Sequence, residues 1–157
     1  MFILSNSERV LLKKIHFYFN DVRVNLLNRK ILKKFITGLF KSENTEFSRL
    51  NYIFCSDAFL LEINQQFLKH DYYTDTISFN LATKNEPVAG EVYISITRVK
   101  ENAKTLGLPV TDEIHRVIFH GALHLCGYND KTAKDKQIMT KAEDKYLQMF
   151  AKVPRGT

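Results

Sequence analysis

The chain has no tryptophan, only two cysteines, three prolines and six glycines. Each shortage excludes something. Two cysteines, Cys55 and Cys126, are too few for the disulfide framework of a stapled secreted domain, so both are expected as reduced thiols. Each reads as a small buried hydrophobe, and Cys126 keeps a minor claim as a metal ligand. The sparse prolines and glycines form no linker, and there is no internal repeat or low-complexity tract. Residues 1–157 therefore read as a single domain. No apolar run approaches the roughly 20 residues needed to cross a bilayer. The first residues, MFILSNSERVLLKK, lack the long apolar segment of a secretory signal. A cytoplasmic protein with no membrane partner is the expectation.

What is present fits an ordinary globular protein, with 45% apolar and 25% charged residues. Twelve Phe and seven Tyr supply the bulky core material. The net charge of +6 favours polyanionic partners. Strands are expected over 14–19, 50–56 and 74–81 and again after Gly90, where EVYISI alternates. In the third, Thr76, Ser78 and Asn80 alternate with Ile77, Phe79 and Leu81, which predicts one wet face. TKNEP suits the hairpin loop to the fourth. A helix is expected from Asn25 to Lys41, with Leu27, Ile31, Phe35 and Leu39 inward. A second, capped by Asp57, runs to about Lys69 with Phe59, Leu60, Ile63 and Phe67 inward. Further helices cover Arg98–Leu106, Asp112–Cys126 capped by Thr111, and Ala133–Phe150 opened by a Thr132/Asp135 capping box. This order makes the fold α+β, or a mixed sheet layered with helices. Arg29, Lys30, Lys33 and Lys34 form either a solvated helix face or an RNA-contacting stripe.

The chemistry concentrates in HGALHLCGYND, residues 120–130. His120 and His124 are four apart on a helix, so both imidazoles can reach one metal, as in an HExxH helix. Gly127 stands where a helix end turns left-handed, which glycine does without steric cost, and the turn can return Asp130 to the pair. Two histidines and a carboxylate suit zinc and other first-row metals, and three protein ligands leave a position open. A metal lowers the pKa of the water it binds to roughly 7. Gly121 stands where a zinc protease carries its glutamate, and it has no side chain to move a proton. Protease chemistry of that type is therefore not expected, and the sequence names no general base. His115, His16 and His70 read as surface residues. Arg116, one turn before His120, either aims a cation at the site or forms a surface ion pair.

HGALHLCGYND with Met139 and Glu143 resembles the YbeY family signature. Ile63-Asn64, TDTISF (74–79) and Gly90-Glu91-Val92 agree with it as well, so the likeness spans roughly residues 50 to 147. The resemblance implies an α+β fold with a mixed four-stranded sheet, and helices around a zinc site of three histidines. It implies a zinc-dependent, single-strand-specific endoribonuclease that matures the 3′ end of small-subunit rRNA and serves ribosome quality control. Its partners would be rRNA and the small ribosomal subunit. Two positions depart from the family pattern. Asp130 falls where the third histidine is expected, so the ligands here would be His120, His124 and Asp130, with Zn2+ or another divalent metal. Leu68 aligns with an arginine thought to contact RNA or the scissile phosphate. Lys69, His70 and Arg116 are the remaining RNA-binding candidates, with Tyr72 and Tyr73 able to stack bases. Glu143 is the candidate hydrogen-bond partner of a metal-ligating histidine, and Met139 reads as core. The alternatives are a ribosome-assembly factor whose metal is structural, and a metal hydrolase of other substrates.

Overall fold

All four β-rich stretches form strands, and they meet in one sheet. The computed structural model describes residues 3–26, 28–70 and 72–155. Its elements are α1 (Asn6–Leu12), β1 (Ile15–Phe19), α2 (Arg29–Ser42), β2 (Phe47–Cys55), α3 (Asp57–Leu68), β3 (Thr76–Asn80), β4 (Val88–Ser95), α4 (Ile96–Leu106), α5 (Val110–Leu125) and α6 (Ala133–Ala151). Strand order is β1-β2-β4-β3. Strands β1, β2 and β4 are parallel, whereas β3 pairs antiparallel with β4. Parallel neighbours need a crossover, and α2 provides it between β1 and β2. The expected α+β fold with a mixed four-stranded sheet is the one observed.

Alternation along β4 divides the core in two. Val88, Val92 and Ile94 join the main core with residues of α2, α5 and α6. Tyr93 packs instead with Cys55, Leu60, Ile63, Ile77 and Phe79 beneath α3. Helix α5 lies so close to the sheet that side chains must be missing on both sides of the contact. A Cβ on Gly121 would stand 2.5 Å from Val92 Cγ1, and one on Gly90 would stand 2.6 Å from Leu125 Cδ1. Gly121 is thus a packing requirement of the fold, not the remnant of a lost glutamate.

Several local expectations are corrected. The polar face of β3 is wet only at its end: Asn80 is exposed, whereas Ser78 Oγ donates to the Gly121 carbonyl at 3.4 Å, because α5 covers that part. Helix α2 starts at Arg29, after Asn28 adopts a left-handed conformation, and buries Leu32, Ile36, Leu39 and Phe40. Ile31 and Phe35 lie at the margin of that stripe, and Leu27 lies outside the described residues. An every-four pattern drifts around a 3.6-residue helix, which is why the buried stripe is offset from the expected one. Ser56, not Asp57, caps α3, leaving the Asp57 carboxylate to pair with Arg98. Phe67 is exposed. Pro109, not Thr111, precedes α5. The Thr132/Asp135 capping box forms as read, and α1 opens on a second box, Ser5 with Glu8, that the apolar pattern did not reveal.

Candidate metal centre

The last turn of α5 is closed by glycine. Gly127 has φ +104°, its N–H donates to the His124 carbonyl at 3.0 Å, and the Tyr128 N–H donates to the Leu123 carbonyl at 3.0 Å. This paired arrangement satisfies the carbonyls that a helix end leaves open. It also turns the chain so that Asp130 comes back under the histidines. His124 Nε2 lies 3.0 Å from His120 Nε2 and 3.1 Å from Asp130 Oδ2, and His120 Nε2 lies 3.5 Å from the same oxygen. Ligands about 2.1 Å from a tetrahedral ion stand roughly 3.4 Å apart, so these three atoms are spaced to share one cation.

The outer ring nitrogens decide the matter. His120 Nδ1 is 2.8 Å from Glu143 Oε2, and His124 Nδ1 is 3.0 Å from the Tyr128 carbonyl. Both partners are acceptors, so each Nδ1 carries the proton and each Nε2 presents a lone pair. With the rings in that tautomer, two lone pairs and a carboxylate oxygen converge at a spacing that one cation can share. The three residues together can hold a metal ion.

A second tier of charge fixes the first. Glu143 is buried, and burial alone would raise its carboxyl; the bonds from His120 and Arg116 outweigh it and hold the group below the usual carboxylate range. Arg116 Nη1 donates to Glu143 at 2.8 Å, Nε donates to buried Glu113 at 3.0 Å, and Nη2 reaches Asp75 at 3.6 Å. Arg116 is therefore neither a surface ion pair nor aimed at the ligands; it anchors the residue that orients His120. Glu113 went unnoticed in the sequence, although its three-residue spacing from Arg116 on a helix was visible. Glu43, at the end of α2, accepts from Tyr128 Oη at 2.7 Å and from Tyr146 Oη. That hydrogen bond, with burial, pushes the Tyr128 phenol up to about 12. Nothing local in sequence connects Glu43 to residues so far along the chain.

The other candidates are not members of that three-residue cluster. Lys69 ends α3 in a left-handed conformation and is exposed, as is His70, whose ring stacks on Tyr72 at 5.1 Å. Tyr72 and Tyr73 are exposed, and Arg98 lies 4.7 Å over the Tyr73 ring. Asn64, buried, donates to the Tyr72 carbonyl at 2.8 Å and ties this segment to α3. Leu68 is exposed. Cys126 is partly buried against the main core and is not among the metal-holding cluster; no disulfide forms. Met139 is core, as read. His16 is exposed, but His115 is not a plain surface residue: it is half-buried against Phe119 and Phe150. Arg29 and Lys33 reach back over Phe19 and Phe17, so half of the basic cluster on α2 covers aromatic rings of β1.

Grooves of about 770 and 470 Å³ lie elsewhere, and none of the three ligands lines them. The donor set, not concavity, marks this centre. Asp130 keeps 43% of its side-chain surface exposed, so the cluster opens to solvent on that side. No helix among the described residues is long and apolar enough to cross a membrane.

Fold and donors together define an α+β protein with an open, three-ligand centre able to take a metal, the design associated with catalysis more than with structural clips. Comparison with known proteins narrows the class. Residues 14–151 match the family described as Endoribonuclease YbeY, and the chain belongs to that family. It is 44% identical to Endoribonuclease YbeY of Cytophaga hutchinsonii, over 86% of this chain and 94% of that one. With the Flavobacterium psychrophilum protein of the same name it shares 47% identity, over 73% and 81% of the two chains. The solution structure of TM1509 from Thermotoga maritima has a TM-score of 0.60 at 28% identity, covering 87% and 88%.

Proposed function

We propose that this protein is a zinc-dependent endoribonuclease that cleaves single-stranded RNA in maturing the 3′ end of small-subunit rRNA, and that it serves ribosome quality control in the cytoplasm. The observation that carries the reading is the pair of Nε2 lone pairs converging with Asp130, each imidazole fixed from behind. Family membership supports RNA as the substrate. The net charge of +6 suits a phosphodiester chain, which is held chiefly through its phosphates.

His120, His124 and Asp130 would hold the ion. A bound zinc ion supplies a Lewis acid that polarises a phosphoryl oxygen and acidifies water. The protein does the rest. Glu143 and the Tyr128 carbonyl keep the imidazoles aimed, and Arg116 keeps Glu143 ionised and in place. Gly121 leaves the position beside His120 without a proton carrier, which fits phosphoryl chemistry better than peptide hydrolysis. Lys69, His70, Tyr72 and Tyr73 are exposed polar and aromatic side chains suited to holding a single strand chiefly by stacking.

The test is Asp130→Ala, with metal content and cleavage of an rRNA precursor measured on the same preparation. Loss of both, with the fold kept, is expected. Full metal occupancy in the variant would remove Asp130 from the ligand set. A wild-type protein that binds zinc yet never cleaves RNA, with a fold that chelation destroys, would make the metal structural and the protein an assembly factor.

A further inference from the structure

One carboxylate remote from the ligands touches both elements that hold them. Glu43 ends α2, and its two oxygens accept from two phenols: Oε1 from Tyr128 and Oε2 from Tyr146. Each tyrosine belongs to the support of a different histidine. Tyr128 provides the carbonyl that takes the Nδ1 proton of His124. Tyr146 lies three residues after Glu143 on α6, on the same helix face, and Glu143 takes the Nδ1 proton of His120. Tyr146 is buried and its ring sits against Phe35 of α2 at 6.3 Å, so this part of α6 has little freedom of its own.

The turn carrying Tyr128 is another matter. It hinges on Gly127, whose lack of a side chain permits the conformation without enforcing it. Its neighbours Gly127 and Asn129 are exposed. Backbone bonds close the turn onto α5, and the Tyr128 side chain is the tie that runs from it to α2, ending on Glu43. Hydrogen bonds from a hydroxyl to an ionised carboxylate are short and about twice as strong as neutral ones.

We propose that Glu43 is a positioning residue of the metal centre, which grips Tyr128 and Tyr146 together and so sets the gap between the two imidazoles in which a divalent cation is held. The inference rests on reading residues 120–130 as a metal centre. Residues that orient ligands from behind typically contribute 10–100-fold to metal affinity, and Glu43 acts one step further out, so about tenfold is expected.

The test uses the full chain and its Glu43→Gln and Tyr128→Phe variants, freed of metal, checked by far-UV circular dichroism and titrated with Co2+ alone. Affinity and the visible absorption band are the readouts. Each variant is expected to bind Co2+ about tenfold more weakly with a shifted band, while the far-UV spectrum stays that of the wild type. The double variant should lose less than the sum of the two single losses, because both changes act on the Tyr128–Glu43 bond. Tyr128→Phe removes a single hydroxyl and decides the question if Glu43→Gln fails to fold. Affinities within twofold of wild type, with an unchanged band, would make Glu43 a staple between helices and nothing more. A wild-type chain that takes up no Co2+ would instead overturn the metal reading itself, and this inference with it.

Discussion

The metal-ligand cluster and the 69–73 segment are built differently. Around His120, His124 and Asp130 every support is a directed bond: both Nδ1 atoms are engaged, Glu143 is held by Arg116, and Arg116 by Glu113. In the 69–73 segment the described side chains are exposed, and what holds them is ring stacking, one exposed hydrogen bond between Tyr72 Oη and His70 Nδ1 at 2.9 Å, and one buried amide on the backbone. The first arrangement fixes the orientation of both imidazoles. The second presents flat surfaces and charge that accommodate many shapes. Such a division suits an enzyme that does one chemistry on a substrate whose bases vary, since stacking tolerates any base.

The largest effect is expected from breaking the rigid end. Glu143→Ala removes the acceptor that fixes His120 and leaves the half-buried Arg116 with one strong partner fewer. Arg116 keeps Glu113 and Asp75, so the loss is that of a hydrogen bond between charged groups, about 1.5–3 kcal/mol, and loss of a ligand's outer partner costs 10–100-fold in metal affinity. Urea unfolding of the metal-free protein and zinc competition with a chromophoric chelator measure the two separately. If stability falls and zinc affinity does not, the orientation argument is wrong. The adaptable end should respond in the opposite sense. Tyr72→Ala and Tyr73→Ala are each expected to weaken binding of a short single-stranded RNA by about 1–3 kcal/mol per lost stack, with zinc affinity unchanged. A change in zinc affinity in either would dissolve the distinction between the two ends.

That contrast also explains what the sequence disclosed. His120, His124 and Asp130 were legible because helix periodicity and one glycine turn bring them together within eleven residues. Glu143 was reachable through family resemblance, while its tie to Arg116 spans 27 residues and depends on how α6 docks on α5. Glu43 was invisible: its partners lie 85 and 103 residues away, and only tertiary packing introduces them. The strands were found for a similar reason, since alternation is local. The wet face assigned to β3 holds at Asn80 and fails at Ser78, where polarity reflects a helix backbone laid over it, not water. Cap positions missed by a residue at Asp57 and by two at Thr111, where neighbouring Ser56 and Pro109 took the role.

A smaller effect should follow from the packing beneath the rigid end. Gly121→Ala puts a methyl 2.5 Å from Val92 Cγ1 and 3.3 Å from Ser78 Oγ. Overpacking a core costs about 1–3 kcal/mol, towards the upper end for a contact this short, and alanine returns about 1 kcal/mol of helix propensity, leaving a net loss of up to about 2 kcal/mol. Thermal unfolding of the variant reads this directly. A variant as stable as wild type would mean that α5 is not pressed against the sheet, and that the glycine beside His120 has some other cause.

The third histidine of α5 supplies the internal control. His115 shares the helix with His120 and His124 but has ring stacking where they have hydrogen bonds: Phe119 at 6.3 Å and Phe150 at 4.7 Å. Burial first, and then Arg155, push its pKa down to about 4, with Asp112 opposing weakly. The folded state therefore prefers the neutral ring, while the unfolded chain takes up a proton near 6.5. Between those values the unfolded state binds more protons, so stability falls as pH drops from about 6.5 towards 4 and levels off below. At about 1.4 kcal/mol per unit, this one group removes up to about 2 kcal/mol by pH 5. His115→Phe keeps the ring contacts and deletes the titration. Urea unfolding at pH 7 and pH 5 should show the variant losing about 1–2 kcal/mol less than wild type across that interval. Equal losses in the two proteins would mean that burial of His115 is not the source of the acid sensitivity.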